Sequence, residues 1–323
     1  MMRQTIFTPA YNRADTLPRL YESIKSQIFK DFTWLIIDDG SKDDTTELVR
    51  SWIDEATIQI EPTGFTGTCS EAAWLHVRYV KKENGGKHSA QRLAYQMAKT
   101  PYITEVDSDD AILPTTMDDF ESAWADIEKS QKVIAKVSMF TRSPEGNIRG
   151  FGNYTIPENI PYIEATWQEY VLKTANHREY ISSISVEKFN ECIDYDFFTI
   201  SNGKPMKFLG ESILWSSIGK KYKTRILNKT GLTVYLDAGN SILRGEQNYF
   251  NNMANDIYFQ DLNIEYFWWN PRYFISGEKH LADCAVRANI SLLKMMGYMR
   301  NKKHKYFMSI FYIPFYLLAK VTK

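Results

Sequence analysis

The first 130 residues alternate between two periodicities. QTIFT at 4–8, FTWLIID at 32–38 and the stretches 75–81 and 102–106 are short β-prone runs. Segments with helical spacing follow them at 14–28, from Ser41 to about Ile53, at 88–98, and from Pro114 to about Lys129. Asp15 or Thr16 opens the first helix, with Pro18 in its first turn. Few architectures accept strand and helix in strict turn. The pattern predicts an α/β fold with a mostly parallel, Rossmann-like sheet and helices on both faces. In such sheets functional groups collect where the carboxyl ends of strands open into loops. Segments 8–13, 38–41, 83–88 and 107–110 therefore converge on one cleft.

Past residue 130 the alternation loosens. A strand at 132–141, a PEGN turn at 144–147 and a returning segment at 148–155 precede a helix at 166–173 and a strand around 180–186. Residues 204–220 read as a loop leading into a helix with Glu211 near its start, and from 245 onward the chain is helical and aromatic. The Gly- and Thr-rich stretch 61–74 (EPTGFTGTCSEAAW) reads as an inserted surface loop. The expected organisation is a domain over 1–240, with an inner boundary at 130, and a helical extension over 241–323.

Charge and cysteine content narrow the function classes. The 39 basic and 39 acidic residues cancel, so no overall field marks a nucleic-acid binder. Cys69, Cys192 and Cys284 are far apart and lack the spacing of metal ligands, which argues against a disulfide framework or a zinc site and favours reduced thiols in the cytoplasm. The amino terminus turns polar too early for a secretory leader. Near the carboxyl end Arg300, Lys302, Lys303 and Lys305 precede an apolar, aromatic run from 306 to 319, interrupted by Ser309 and Pro314. It is shorter than the roughly 20 residues a spanning helix needs. It suits an interfacial helix on anionic lipid, or one packed on the preceding domain or a partner.

Three acids in four residues, Asp107, Ser108, Asp109 and Asp110, stand at the end of the fourth strand. Such charges repel unless a cation meets them or the loop lies in water. Oxygen-only ligands favour Mg²⁺ or Mn²⁺, ions that bind through one or two carboxylates together with substrate phosphates. An isolated DSDD is equally well a cap for the helix after Pro114. Asp38 and Asp39 form a second acid pair, with Gly40 allowing a tight turn; they suit hydrogen bonds from a base edge or ribose, and Ser41 or Asp43 suits the next helix cap. Tyr11 offers a ring for stacking and Arg13 a partner for phosphate.

TIFTPAYNRADTLPRLYESIKSQIFKDFTWLIIDDGSKDDT, followed by NGGKHSAQRLAYQMAKTPYITEVDSDDAILP, resembles the amino-terminal half of inverting family 2 glycosyltransferases of the glycosyltransferase A-type (GT-A) fold. The resemblance covers about residues 3–130. It implies a nucleotide-sugar donor, UDP-linked by expectation, held by Thr8, Tyr11, Arg13, Asp38, Asp39, Lys87, Asp107 and Ser108. It implies Mn²⁺ or Mg²⁺ with Asp109 as principal ligand and Asp107 and Asp110 beside it. Lys87, in Gly85-Gly86-Lys87-His88, is also readable as a solvated lysine at a helix start.

The family places its catalytic base at a helix start in the second half, and FLGESILW at 208–215 matches that slot with Glu211 as the acid. Ser212 stands where a second acid is common. Glu211 is also readable as a first-turn acid compensating the helix dipole. Arg149, Tyr154, Trp167, His177 and Arg178 mark an acceptor side, His177 being equally a structural histidine. The expected activity is transfer of one sugar to a glycan, possible lipid linkage included, in cell-surface polysaccharide synthesis. Residues 300–321 would rest on the inner face of the membrane. A sugar nucleotidyltransferase is the alternative enzyme, disfavoured because no glycine-rich signature follows the first strand. A non-catalytic glycan-binding scaffold is the alternative outside enzymes.

Overall fold

The structure, a computed structural model, describes residues 2–152, 155–193, 209–237 and 249–321. The chain forms two compact units that interleave in sequence. The first holds Met1–Ala165, His177–Glu191 and Tyr222–Arg244; the second holds Thr166–Asn176, Cys192–Lys221 and Gly245–Lys323. Two segments that precede the expected cut at 240, one of them carrying Glu211, group with the carboxyl-terminal helices.

The first unit is built on strands β1 (Gln4–Ala10), β2 (Phe32–Asp38), β3 (Gln59–Glu61), β4 (Gly64–Thr68), β5 (His76–Lys81), β6 (Tyr102–Glu105), β7 (Ala111–Ile112), β8 (Ile134–Arg142), β9 (Gly150–Phe151), β10 (Tyr162–Ala165), β11 (His177–Arg178), β12 (Tyr180–Ser185) and β13 (Lys223–Thr233). Its helices are α1 (Leu17–Lys25), α2 (Thr45–Ser51), α3 (Lys87–Met97), α4 (Thr116–Lys129) and α5 (Val186–Cys192). Sheet order is β10-β13-β8-β12-β6-β1-β2-β5-β4-β3, with β7 on β13 and a separate β9-β11 pair. β6, β1, β2 and β5 run parallel, as do β8 and β13, and β12 is antiparallel between the two groups. β1 and β2 are buried along nearly their whole length; β2 accordingly carries the apolar run WLII, while β1 buries Gln4, Thr5 and Thr8 among its apolar residues.

α1 buries Leu17, Leu20, Tyr21 and Ile24, a stripe at helical spacing, with a proline in its first turn. It starts three residues later than expected, because Arg13 O accepts the Thr16 and Leu17 N–H groups and spends 13–16 on a turn. Tyr21 stacks on Trp52 at 4.2 Å, and Trp34 lies 5.9 Å from Trp52, so α1, β2 and the end of α2 share one aromatic core.

The expected loop at 61–74 is sheet in its first half: β3 and β4 form a hairpin that extends the edge beyond β5. Its glycines are packing requirements rather than loop signals. A Cβ on Gly64 would fall 2.0 Å from Tyr79 O, and neighbouring Phe65 is buried and stacked on Tyr79 at 4.9 Å.

The second unit is helical: a π-helical turn (Gln168–Lys173), α6 (Glu211–Gly219), α7 (Tyr249–Asn263), a 3-10 turn (Ile264–Trp269), α8 (Pro271–Arg287), α9 (Leu292–Tyr298) and α10 (Lys302–Val321). α8 opens with a proline after Asn270, whose side chain accepts the Tyr273 N–H. α10 buries His304, Met308, Tyr312 and Tyr316 at four-residue spacing, and leaves Tyr306, Ile310, Leu317, Leu318 and Val321 exposed. Among the described residues, no helix is long and apolar enough to cross a membrane.

Candidate active site

The loops at the carboxyl ends of β1, β2, β5 and β6 are tied to one another by side chains. Asn12, held at φ +52°, donates its N–H to Ser41 Oγ (2.9 Å) and accepts the Lys42 N–H at Oδ1 (2.8 Å). That strained backbone locks the first loop to the second. Tyr11 beside it is 39% exposed, with its ring within reach of solvent. Arg13 donates its N–H to Thr45 Oγ1 (2.9 Å) and its Nε–H to Ser108 Oγ (3.1 Å), joining the β1 loop to α2 and to the loop after β6.

The two acids after β2 differ in work. Asp38 is fully buried, accepts the Ser41 N–H (2.6 Å) at one oxygen and the Tyr79 hydroxyl at the other. Burial and the Asp38 charge push the Tyr79 phenol well above its ordinary range, so it stays a donor. Thr8 is likewise inside the core, its hydroxyl accepting the Trp34 indole N–H (3.0 Å). These side chains hold the strands and the turn in shape.

Asp39 faces the next loop. Its Oδ1 accepts the Gly85 N–H (2.9 Å) and the Lys82 ammonium (2.5 Å), and its Oδ2 accepts the Gly86 N–H (2.7 Å). Gly86 takes φ +88°, and a Cβ on Gly85 would meet Ser89 Oγ at 2.7 Å. The Gly-Gly pair lets this backbone wrap a carboxylate. Lys82, which the sequence reading passes over, also donates to Ser89 Oγ (2.8 Å).

At the β6 end, Lys87 begins α3 and its ammonium lies 2.7 Å from Asp107 Oδ1 and 3.2 Å from Glu105 Oε1. Glu105 is fixed in turn by Gln91 Nε2 (2.6 Å). The Asp109 carbonyl accepts from Arg19 (2.9 Å), whose guanidinium also pairs with Asp237 and covers the Tyr235 ring at 3.8 Å. Asp110 accepts the Tyr235 N–H (3.0 Å). Neither Asp109 nor Asp110 caps α4, whose N-cap is Thr115. The helix-cap reading of the acid cluster therefore fails.

Burial, then the Asp107 charge, pushes the Asp109 carboxyl above the usual range; the same two causes push Asp110 up to about 8. A cation bound here would favour the ionised forms that burial disfavours. The donor set is oxygen only, which fits Mn²⁺ or Mg²⁺. Among the described residues these three carboxylates do not each bring an oxygen within 4.8 Å of the others.

Glu105, Lys82, Arg19, Tyr235 and Asp237 all touch this site without having been singled out. Glu105 ends β6 two residues before the acid cluster, and Lys82 follows β5, so strand-end position was the available signal for both. Arg19, Tyr235 and Asp237 are brought in by tertiary structure alone.

Glu211 opens α6 in the second unit and is exposed, with the preceding Gly210 N–H accepted by Asn255 Oδ1 (2.7 Å). On the expected acceptor side, Arg149 pairs with Glu179 (2.6 Å), and His177 and Arg178 form β11 in the first unit. Burial lowers the His177 pKa. Trp167 belongs to the second unit, edge-on to Phe259 at 5.7 Å. Tyr154 and Phe208 lie outside the described residues.

Residues 5–170 match the sequence pattern of Glycosyl transferase family 2. A chondroitin synthase of Pasteurella multocida (strain Pm70) is 28% identical over 206 residues, covering 60% of this chain and 18% of that protein. The chain thus spans less than a fifth of the length of the curated relatives named first among its matches. In solved structures, S. aureus TarS 1-349 in complex with UDP-GlcNAc aligns at TM-score 0.58 and 13% identity, over 99% of this chain and 91% of that one. The mannosyltransferase PcManGT from Pyrobaculum calidifontis, in complex with GDP-Man and Mn²⁺, aligns at TM-score 0.51 and 16% identity, over 99% and 86%. At these identities the structural matches speak to fold, and the fold is the GT-A type.

Proposed function

The chain belongs to glycosyl transferase family 2, and on that footing we propose that it moves one sugar, with inversion, from a UDP-linked donor to a glycan acceptor in cell-surface polysaccharide synthesis. The observation that carries the reading is the set of strand-end groups: an exposed Tyr11, two cations at Arg13 and Lys87, and raised carboxyls at Asp109 and Asp110. A chondroitin synthase relative and a neighbour holding UDP-GlcNAc support the polysaccharide and UDP parts of the proposal.

In this reading the Tyr11 ring stacks on the base, and the loop organised by Asp39 positions base and ribose. Arg13 and Lys87 meet the diphosphate, Lys87 by exchanging Asp107 for phosphate oxygens. Asp109, with Asp107 or Asp110, holds Mn²⁺ or Mg²⁺, which when bound neutralises charge on the departing diphosphate. Glu211 takes the acceptor hydroxyl's proton as that oxygen bonds to the anomeric carbon and the bond to diphosphate breaks. One displacement suffices, with no covalent enzyme intermediate. The exposed Tyr306, Ile310, Leu317 and Leu318 of α10, beside Lys302 and Lys303, support peripheral contact with an anionic membrane face.

A panel of nucleotide sugars tests the donor half of the proposal. A ligand that binds the native state at 100 times its Kd stabilises by about 2.7 kcal/mol. The expected result is a rise in Tm with a UDP-sugar and Mn²⁺ together that neither produces alone. No rise with any nucleotide sugar would reject it.

A further inference from the structure

A second group of potential ligands lies in the helical unit, where α7 passes α8. His280 and Cys284 are one turn apart on α8, and Asp256 comes from α7. At this spacing two side chains stand on one helix face. His280 Nδ1 is 2.6 Å from Asp256 Oδ2; Cys284 Sγ is 3.9 Å from that nitrogen and 3.7 Å from Nε2. One ligand atom from each of the three lies within 4.8 Å of the others. The helices come this close partly through Gly277, where an added Cβ would fall 2.3 Å from Gln260 Nε2.

We propose that Asp256, His280 and Cys284 bind one zinc-class divalent ion, with a fourth position open to water. A carboxylate, an imidazole and a thiolate are the donors zinc takes, at about 2.0–2.2 Å for oxygen and nitrogen and about 2.3 Å for sulfur. Tetrahedral bonds of those lengths set ligand atoms about 3.3–3.6 Å apart. The observed separations, 2.6 Å on the carboxylate side and 3.7–3.9 Å on the sulfur side, bracket that range. The third separation, Cys284 to Asp256, lies within 4.8 Å.

The surroundings suit such an ion. Cys284 is 1% exposed, which shields the sulfur, while the His280 side chain is 55% exposed and leaves a path for entry. On binding, Cys284 releases its thiol proton and His280 gives up any proton on the ligating nitrogen, both to solvent. A soft thiolate separates this site from the oxygen-only acids after β6, which suit Mn²⁺ or Mg²⁺. The absence of metal-ligand spacing among the three cysteines hid it, since two of its ligands are not cysteines and one lies on another helix.

The test uses the tag-free, EDTA-stripped chain titrated with Co²⁺. The expected result is one equivalent carrying a thiolate-to-cobalt charge-transfer band, displaced by Zn²⁺. Cys284→Ser should abolish the band while Cys69→Ser and Cys192→Ser keep it. Asp256→Asn and His280→Ala should each weaken binding about tenfold or more, since losing even an outer-shell partner of a metal ligand typically costs that much. The zinc K-edge spectrum of the unaltered chain gives a readout independent of any variant's folding, with one sulfur scatterer expected at about 2.3 Å. An all-oxygen-and-nitrogen spectrum, or a band indifferent to Cys284→Ser, would overturn the proposal.

Discussion

Lys87 Nζ lies 2.7 Å from Asp107 Oδ1, binding the first residue of α3 to the loop after β6. A lysine at a helix start opposes the helix dipole, so its position is favourable only with an anion in reach. Asp107 and Glu105 supply that anion here, and a diphosphate can replace Asp107 as the partner. Lys87→Ala should weaken UDP binding about 10- to 100-fold, about 1.4–2.8 kcal/mol, the range of a charge-assisted contact. Lys87→Arg should retain most of it. Calorimetric titration gives both values, and an alanine variant with undiminished UDP affinity would remove Lys87 from the site.

Asp39 and Lys82 should be energetically coupled. The Asp39 carboxylate receives two backbone N–H groups and an ammonium in a nearly closed setting, so Asp39→Asn gives up charge-assisted bonds and leaves Lys82 partly buried without its counter-charge. The expected cost is about 2–4 kcal/mol. A double-mutant cycle with Lys82→Met should return a coupling of at least about 0.5 kcal/mol. Strict additivity in denaturant unfolding would show that the two side chains act independently.

What was legible in the sequence follows from the range of the interactions involved. β1 and β2 are short β-prone runs, β2 with a continuous apolar stretch, so both are local signals, and the loops after them inherit strand-end position from the alternation alone. The strand-end positions of Asp107, Asp109, Arg13 and Lys87 were readable on that basis. The partners of Thr8 and Asp38 could not be read locally, because they are Trp34 and Tyr79, 26 and 41 residues away. The β3-β4 hairpin was hidden because Gly64 is required by the approach of Tyr79, and glycine in sequence reads as a loop. Arg19 reaches Asp237 across 218 residues, a pairing no local pattern announces. The interleaving of the two units is of the same kind, set by contacts distant in sequence.

Glu211→Gln separates the proposed base from a dipole-compensating acid. Glutamine is nearly isosteric and cannot take a proton, so donor affinity and Tm should hold while transfer falls by 100-fold or more, within the roughly 10²–10⁴-fold contribution of general-base catalysis. A helix-start acid without a catalytic role would instead cost about 0.3–1 kcal/mol of stability and leave turnover near normal. Donor titration, thermal unfolding and product formation, measured on one preparation, tell these outcomes apart.

Asp110 should make the metal-free protein less stable as pH rises. Its folded-state pKa, pushed up to about 8 by burial and the Asp107 charge, lies above the ordinary carboxyl value of 3.8. Between those values the native state holds a proton that the unfolded chain has released, so unfolding free energy falls with increasing pH across that window. Above it the penalty is complete; below it the contribution is fully present. In EDTA, Asp110→Asn should therefore gain stability relative to the parent as pH goes from 5 to 8, because an amide cannot ionise. Mn²⁺ acts in the opposite direction on the parent chain: it competes with the proton for the acid cluster, so its stabilising effect should grow over the same interval. Thermal unfolding at pH 5 and pH 8, with EDTA or Mn²⁺, checks both signs. A parent and variant that shift in parallel would show that Asp110 is already ionised in the native state.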